Sequence, residues 1–201
     1  NFMWMQTFWS HLSDTGTASV VMANGAMTSN TKGEKNVREY MVNNSMVDCI
    51  VRLPDKLFLT TGIPACIFIL SKNHDGKDGV HRERNNEILF IDTSKMGTME
   101  SRKLRIFTDD DINKVSETYH AWRNVDGNYE NTDGYSYKAT IAEVQKQDYK
   151  LTPGIYVGTE EVEDDGILFE DKMEALKTQL QAQFAKGNDL QERILENFNK
   201  L

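Results

Sequence analysis

The sequence predicts an α/β fold: an open sheet, parallel except for one antiparallel strand, with helices on both faces and a helical arm at the C-terminus. Three observations carry this. Met46 to Leu53 and Ala65 to Leu70 are continuous apolar runs, not alternating ones, so they read as strands covered on both faces. The polar loop between them is too short to hold a crossover helix, so the second strand runs antiparallel to its neighbour. From the N-terminus through Leu53, helix, strand, helix and strand alternate, the order that builds a parallel sheet with right-handed crossovers.

Each element has a local reason. Phe2, Met5, Trp9 and Leu12 recur at helical spacing, and Ser13-Asp14-Thr15-Gly16 stops the helix, with Gly16 free to take a left-handed backbone. Thr17 to Ala23 is rich in valine and small residues and reads as a strand ending at Asn24-Gly25. A polar stretch follows that pair, so it marks a strand-to-helix loop and not a hairpin. Val37, Tyr40 and Met41 share one face of the next helix, which Asn43-Asn44 closes. Pro64 opens the second apolar run, where no ladder donor is yet needed.

Ser71 to Asn86 is polar and reads as a solvated loop, and Glu87 to Asp92 as a further strand. Thr108 with Asp111, and Thr140 with Glu143, are capping boxes that each start a helix. Ile112, Val115, Tyr119 and Trp122 form the apolar face of the first of these. Leu151 to Val157 is extended or turn-like, because Pro153 restricts Thr152 and Gly154 breaks a helix. From Phe169, the residues Met173, Leu176, Leu180 and Phe184, then Ile194 and Phe198, mark a helical stripe interrupted at Gly187-Asn188, which predicts a hairpin or a kinked arm. The domain boundaries follow: 1–124 as the main body, 125–168 as an extended tail with an acidic linker, and 169–201 as the arm.

Composition narrows the function. With 201 residues and 39% hydrophobic content, the chain supports one sizeable core. A net charge of −8 argues against coating nucleic acid by bulk electrostatics. The charge is uneven, though: Glu160 to Asp171 holds acids and no base, while Lys95, Arg102, Lys103 and Arg105 cluster with one acid between them. Cys49 and Cys66 fall in buried strands, as small core residues of a reducing, cytoplasmic compartment do. The four histidines lack ligand spacing, so no metal site is expected. No run is long enough to span a bilayer. Asn1 opens directly onto Phe2-Met3-Trp4-Met5, as an internal piece of a longer chain would.

The order and spacing of several short motifs resemble one family. These are Val20 to Gly25, Val47 to Pro54, Leu57-Phe58 with Thr61, Ile63 to Cys66, Leu89 to Asp92 with Met96-Gly97, Phe107-Thr108-Asp109 with Tyr119 and Trp122, and Leu151 to Gly154 with Tyr156-Val157. Together they look like the modification (M) subunits of type I restriction-modification systems, adenine-specific DNA methyltransferases that use S-adenosylmethionine. Two positions depart from the family pattern: Ile155 stands where arginine is common, and Leu59 where many members have an aromatic residue.

The resemblance implies a Rossmann-like methyltransferase sheet. It also implies that the glycine-rich cofactor motif and the Asn-Pro-Pro-Phe catalytic motif lie upstream, since neither occurs in these residues. The chain then looks like the C-terminal part of the subunit. S-adenosylmethionine is expected in the full-length protein and none on these residues alone, and no catalytic residue is expected among them. Asn24, Gly25, Phe58, Thr61 and Gly62 are the candidates for the target-base pocket. Asn24-Gly25 either shapes that pocket or only makes a turn, and Phe58 either stacks on adenine or belongs to the core. Lys32, Lys35, Arg102, Lys103 and Arg105 are candidate phosphate contacts, weighed against ordinary solvated charge. The implied partners are DNA, a specificity subunit and a restriction subunit, with Met173, Leu176, Leu180, Phe184, Ile194 and Phe198 docking the specificity subunit. The alternative reading is a non-catalytic interaction module that keeps a methyltransferase-like half-sheet.

Overall fold

The computed structural model describes residues 2–159 and 169–199, with the side chain of Lys32 left out. The acidic linker from Glu160 to Leu168 lies outside the described residues. Two compact units divide at residue 160. The first is built on a five-stranded mixed sheet in the order β1 (Thr17–Ala23), β3 (Ala65–Ser71), β2 (Val47–Arg52), β4 (Glu87–Asp92) and β7 (Ser136–Thr140). Strands β1, β2 and β4 point one way. The expected antiparallel strand is β3, and it sits between β1 and β2, antiparallel to both.

A second antiparallel strand, β7, pairs with β4 along its whole length. The segment from 125 onward was expected to be a tail, and this pairing corrects that reading: β7 and the following helix α4 (Ile141–Lys146) belong to the first unit. The signal is weak in sequence because Ser-Tyr-Lys-Ala-Thr is short and only Tyr137 and Ala139 in it are apolar. It suffices because Ser136 and Ala139 are the buried positions and Lys138 points to solvent.

The sheet buries two faces, as its continuous apolar runs require. One carries Ile50, Phe68, Leu70, Ile88 and Phe90, covered by α1 (Phe2–His11) through Phe2 and Met5, and by α2 (Glu34–Asn43) through Met41 and Val42. The other carries Cys49, Val51, Leu89 and Ile91, covered by α3 (Asp109–Arg123) through Trp122. Both capping boxes form as expected, at Thr108 and at Thr140. Cys49 and Cys66 are buried free thiols. Gly16 does not adopt the left-handed backbone expected of it. The helix instead ends through a bond from the Leu12 amide to the Trp9 carbonyl, and Gly16 closes a separate turn onto Ser13.

Residues 71–86, expected to be solvated, hold a buried polar cluster instead. The register of β2 against β3 shifts between Val47 and Cys49, which leaves Asp48 as an extra residue, a bulge that re-aims its side chain. Asp48 Oδ1 accepts from Arg84 Nε at 3.1 Å, and Oδ2 accepts from the Tyr119 hydroxyl at 2.5 Å. His74 Nδ1 lies 3.5 Å from Oδ1, and Arg84 is also stacked over the Trp122 ring at 5.4 Å. Asp48, Arg84 and His74 are all buried.

Burial holds His74 below its ordinary value of 6.5; the Asp48 carboxylate pulls the other way and Arg84 adds to the burial effect. Between the two values the unfolded chain binds the extra proton. Stability present above about pH 6.5 is therefore lost as the pH falls through that value toward the folded one. Urea denaturation at about pH 7.5 and about pH 5.5 is expected to show a lower midpoint in acid, with a smaller difference in His74→Leu.

The second unit is one continuous helix, α5 (Phe169–Phe198). The hairpin expected at Gly187 does not form and the helix runs through it, because a single glycine in an exposed helix costs only about 1 kcal/mol against alanine. No residue of α5 is buried, and Met173, Leu176, Leu180, Phe184, Ile194 and Phe198 are all exposed. Among the described residues no helix is long and apolar enough to cross a membrane.

Candidate target-base edge

The pairing registers bring the candidate pocket residues to one edge of the sheet. Ala23 pairs with Ala65 and Arg52 with both Cys66 and Asp92, so the ends of β1, β2 and β4 and the start of β3 are level. This is the carboxyl edge of the parallel strands, where open α/β sheets place their ligands. Asn24 and Gly25 leave β1 here, within the 3-10 turn Asn24–Met27. Phe58, Thr61 and Gly62 lie on the loop from β2 to β3, at the same edge.

Asn24 Oδ1 is buried without a hydrogen-bond partner. An acceptor left so costs about 1–3 kcal/mol, which marks it as a place where a donor belongs. Phe58 is 36% exposed, and Thr61 and Gly62 are exposed. Phe58 is therefore not a core residue. It forms an isolated antiparallel bridge with Thr61, and the Thr61 amide donates to the Phe58 carbonyl at 3.4 Å.

The loop is braced from two sides. The Lys56 amide donates to the Gly62 carbonyl, and Leu53 to Ala65. From outside, the short hairpin of β5 (Thr98–Met99) and β6 (Arg105–Ile106) packs on it: the Arg105 amide donates to the Lys56 carbonyl at 2.8 Å and its guanidinium reaches Asp55 at 3.5 Å. Arg105 also donates to the Met96 and Gly97 carbonyls, so this expected phosphate contact is engaged as an internal clamp. Gly97 leads into the hairpin at φ +80°, where an added Cβ would stand 2.8 Å from the Ile106 carbonyl.

Of the other expected cations, Arg102 and Lys103 are exposed in the β5 to β6 turn. Lys35 is bound at 2.5 Å to Asp148 and at 3.7 Å to Glu39, which hold its ammonium above the ordinary value. Lys32 contributes only its backbone to the description. Sequence reasoning did not single out Arg52. It stands at the end of β2, one-third exposed, ion-paired at 3.1 Å to Asp92. Gly154 closes over this pair, 3.4 Å from Asp92 to a Cβ built there, while Tyr156 stacks on Phe90 at 4.0 Å. Its signal was available, since Arg52 and Asp92 both end apolar strands, but their pairing needed the register.

The model of the N-6 DNA methylase family matches residues 1–165. The chain belongs to this family. All 201 residues align at 43% identity with the HindI type I restriction enzyme methylase subunit of Haemophilus influenzae, covering 43% of that protein. The MjaIX type I methylase subunit of Methanocaldococcus jannaschii is 33% identical over 204 aligned positions and is covered over 35% of its length. The chain thus spans less than half of these relatives.

Among solved structures, the type I restriction-modification methyltransferase subunit of Streptococcus thermophilus superposes with a TM-score of 0.66 at 26% identity, over 79% of this chain and 30% of that one. The EcoKI M protein does so at 0.60 and 14% identity, over 92% and 44%, and shows the fold alone. The Rossmann-like α/β class expected of the sequence is therefore the class observed. For this N-6 DNA methylase family, S-adenosylmethionine is the implied cofactor. The residues at this edge do not fit it by themselves. The turn leaving β1 has one glycine, Gly25, with open space around it, and the loop leaving β2 has one, Gly62. Neither forms a glycine-rich cradle.

Proposed function

We propose that the chain is the C-terminal part of a type I modification subunit and supplies the far wall of the pocket into which the target adenine is turned. The observation that carries this is the level carboxyl edge, which sets Asn24 and the loop of Phe58, Thr61 and Gly62 side by side on neighbouring strands. A base whose exocyclic nitrogen is to be methylated must leave the duplex stack and be held by stacking and by hydrogen bonds to its edge. Phe58 offers an exposed ring, and Asn24 Oδ1 an acceptor that lacks a donor. In the whole subunit S-adenosylmethionine supplies the methyl group. These residues orient the base and exclude water, a matter of positioning more than of acid-base chemistry.

The exposed stripe of α5 docks the specificity subunit, which reads the DNA target, and the complex is completed by a restriction subunit. A stripe this long without burial is the signature of helix-in-groove recognition. Methyl transfer from labelled S-adenosylmethionine to duplex DNA, by the subunit that contains this chain together with its specificity subunit, tests the reading. The expected product is N6-methyladenine, and removal of residues 169–201 is expected to abolish co-purification of the two subunits. Full assembly without those residues overturns the docking role, and absence of adenine methylation overturns the pocket role.

A further inference from the structure

We propose that Leu59 is a wedge that enters the duplex and occupies the space vacated by the turned-out base; this rests on the base-pocket reading above. Leu59 is 87% exposed, the highest value of any large apolar side chain among the described residues. It sits at the tip of the loop, next to Phe58 and within the exposed run 58–63, where Ile63 is also 68% exposed. An apolar side chain at such a tip has no core to stabilise.

The loop that presents it is held firm. The bridge of Phe58 with Thr61, the Lys56 to Gly62 bond and the Arg105 clamp on Lys56 and Asp55 fix its shape. A side chain that must push between stacked bases needs a stiff mount of this kind. Proteins that open or kink DNA insert leucine, isoleucine, phenylalanine or methionine between base steps in this way.

Charge selects the occupant. The hairpin clamped on this loop carries Arg102 and Lys103 in its exposed turn, and Lys56 flanks the loop base. A basic rim around an apolar tip fits a phosphate-bearing duplex better than the apolar surface of another protein. Phe58 and Leu59 then divide the work: one faces the base that has left, the other the gap it leaves.

The test compares wild type, Leu59→Ala and Leu59→Met in the whole methyltransferase with its specificity subunit. Two duplexes are used, one with the target adenine paired to thymine and one with an abasic site opposite it. On the paired duplex Leu59→Ala is expected to lower kcat by about tenfold or more with KM little changed, given the cost of unstacking a paired base. On the abasic duplex the loss is expected to shrink to about twofold, and Leu59→Met to retain most activity on both. A duplex carrying 2-aminopurine at the target position is expected to brighten on binding wild type and far less on binding Leu59→Ala.

An equal loss on both duplexes overturns the wedge, as does no loss on the paired one. Failure of Leu59→Ala to assemble with the specificity subunit also overturns it, in favour of a protein contact. If wild type itself does not methylate adenine, the pocket reading fails and the wedge falls with it.

Discussion

Asp48→Asn is expected to destabilise the chain by about 3–5 kcal/mol, enough to leave a marginal domain largely unfolded. The carboxylate is fully buried and compensates the buried guanidinium of Arg84, while it accepts the Tyr119 hydroxyl at 2.5 Å. The amide removes the charge and turns one acceptor into a donor, which must face either Arg84 or the Tyr119 hydroxyl. Arg84 keeps its bonds to the Arg82 and Asn73 carbonyls, but these neutral acceptors do not offset a buried cation. Urea denaturation followed by circular dichroism measures the loss. The double variant Asp48→Leu with Arg84→Met is expected to recover much of it, since an apolar pair of similar volume removes both desolvation penalties. A single variant as stable as wild type would mean that water reaches Arg84.

Trp122→Ala carries the second largest effect, about 3–5 kcal/mol. Its side chain is fully buried and is the main anchor of α3 on the sheet face of Cys49, Val51, Leu89 and Ile91. The ring also lies under two guanidiniums, Arg82 at 5.1 Å and Arg84 at 5.4 Å. Truncation leaves a cavity and takes the aromatic face from both cations. Because Trp122 and Asp48 both hold Arg84, their effects are expected to be non-additive: the double variant loses less than the sum. Circular dichroism is the measurement of choice, as fluorescence would lose one of its own reporters.

These two residues also mark where the sequence was and was not legible. The strands from 47 to 52 and 65 to 71 announce themselves through unbroken apolar runs, and the helices after Thr108 and Thr140 through their capping boxes. Trp122 was readable as a core position because it repeats at helical spacing with Val115 and Tyr119. His74 and Arg84 were not readable. They sit in a polar stretch whose composition says loop, and their partner Asp48 lies on a different strand, turned inward by a bulge that no local pattern records. The same holds for Arg105: charge density marks it as basic surface, and only tertiary geometry shows the guanidinium spent on Asp55 and two carbonyls. The pocket residues were placed through family resemblance. Composition alone offered a turn at Asn24-Gly25 and an aromatic at a strand end.

The position of β3 has a consequence for how the chain is made. Strands β1 and β2 never touch, and each bonds to β3, with Thr17 paired to Ser71 at the far end. Both partners of β2, β3 and β4, come after it in the chain, so a nascent chain holds β2 unpaired until β3 has left the ribosome. The pairing of β1 with β3 joins residues about fifty apart, the kind of non-local contact that forms slowly. Until then the apolar run of β2 is open to wrong partners, and a chain cut between residues 53 and 64 stays in that state for good.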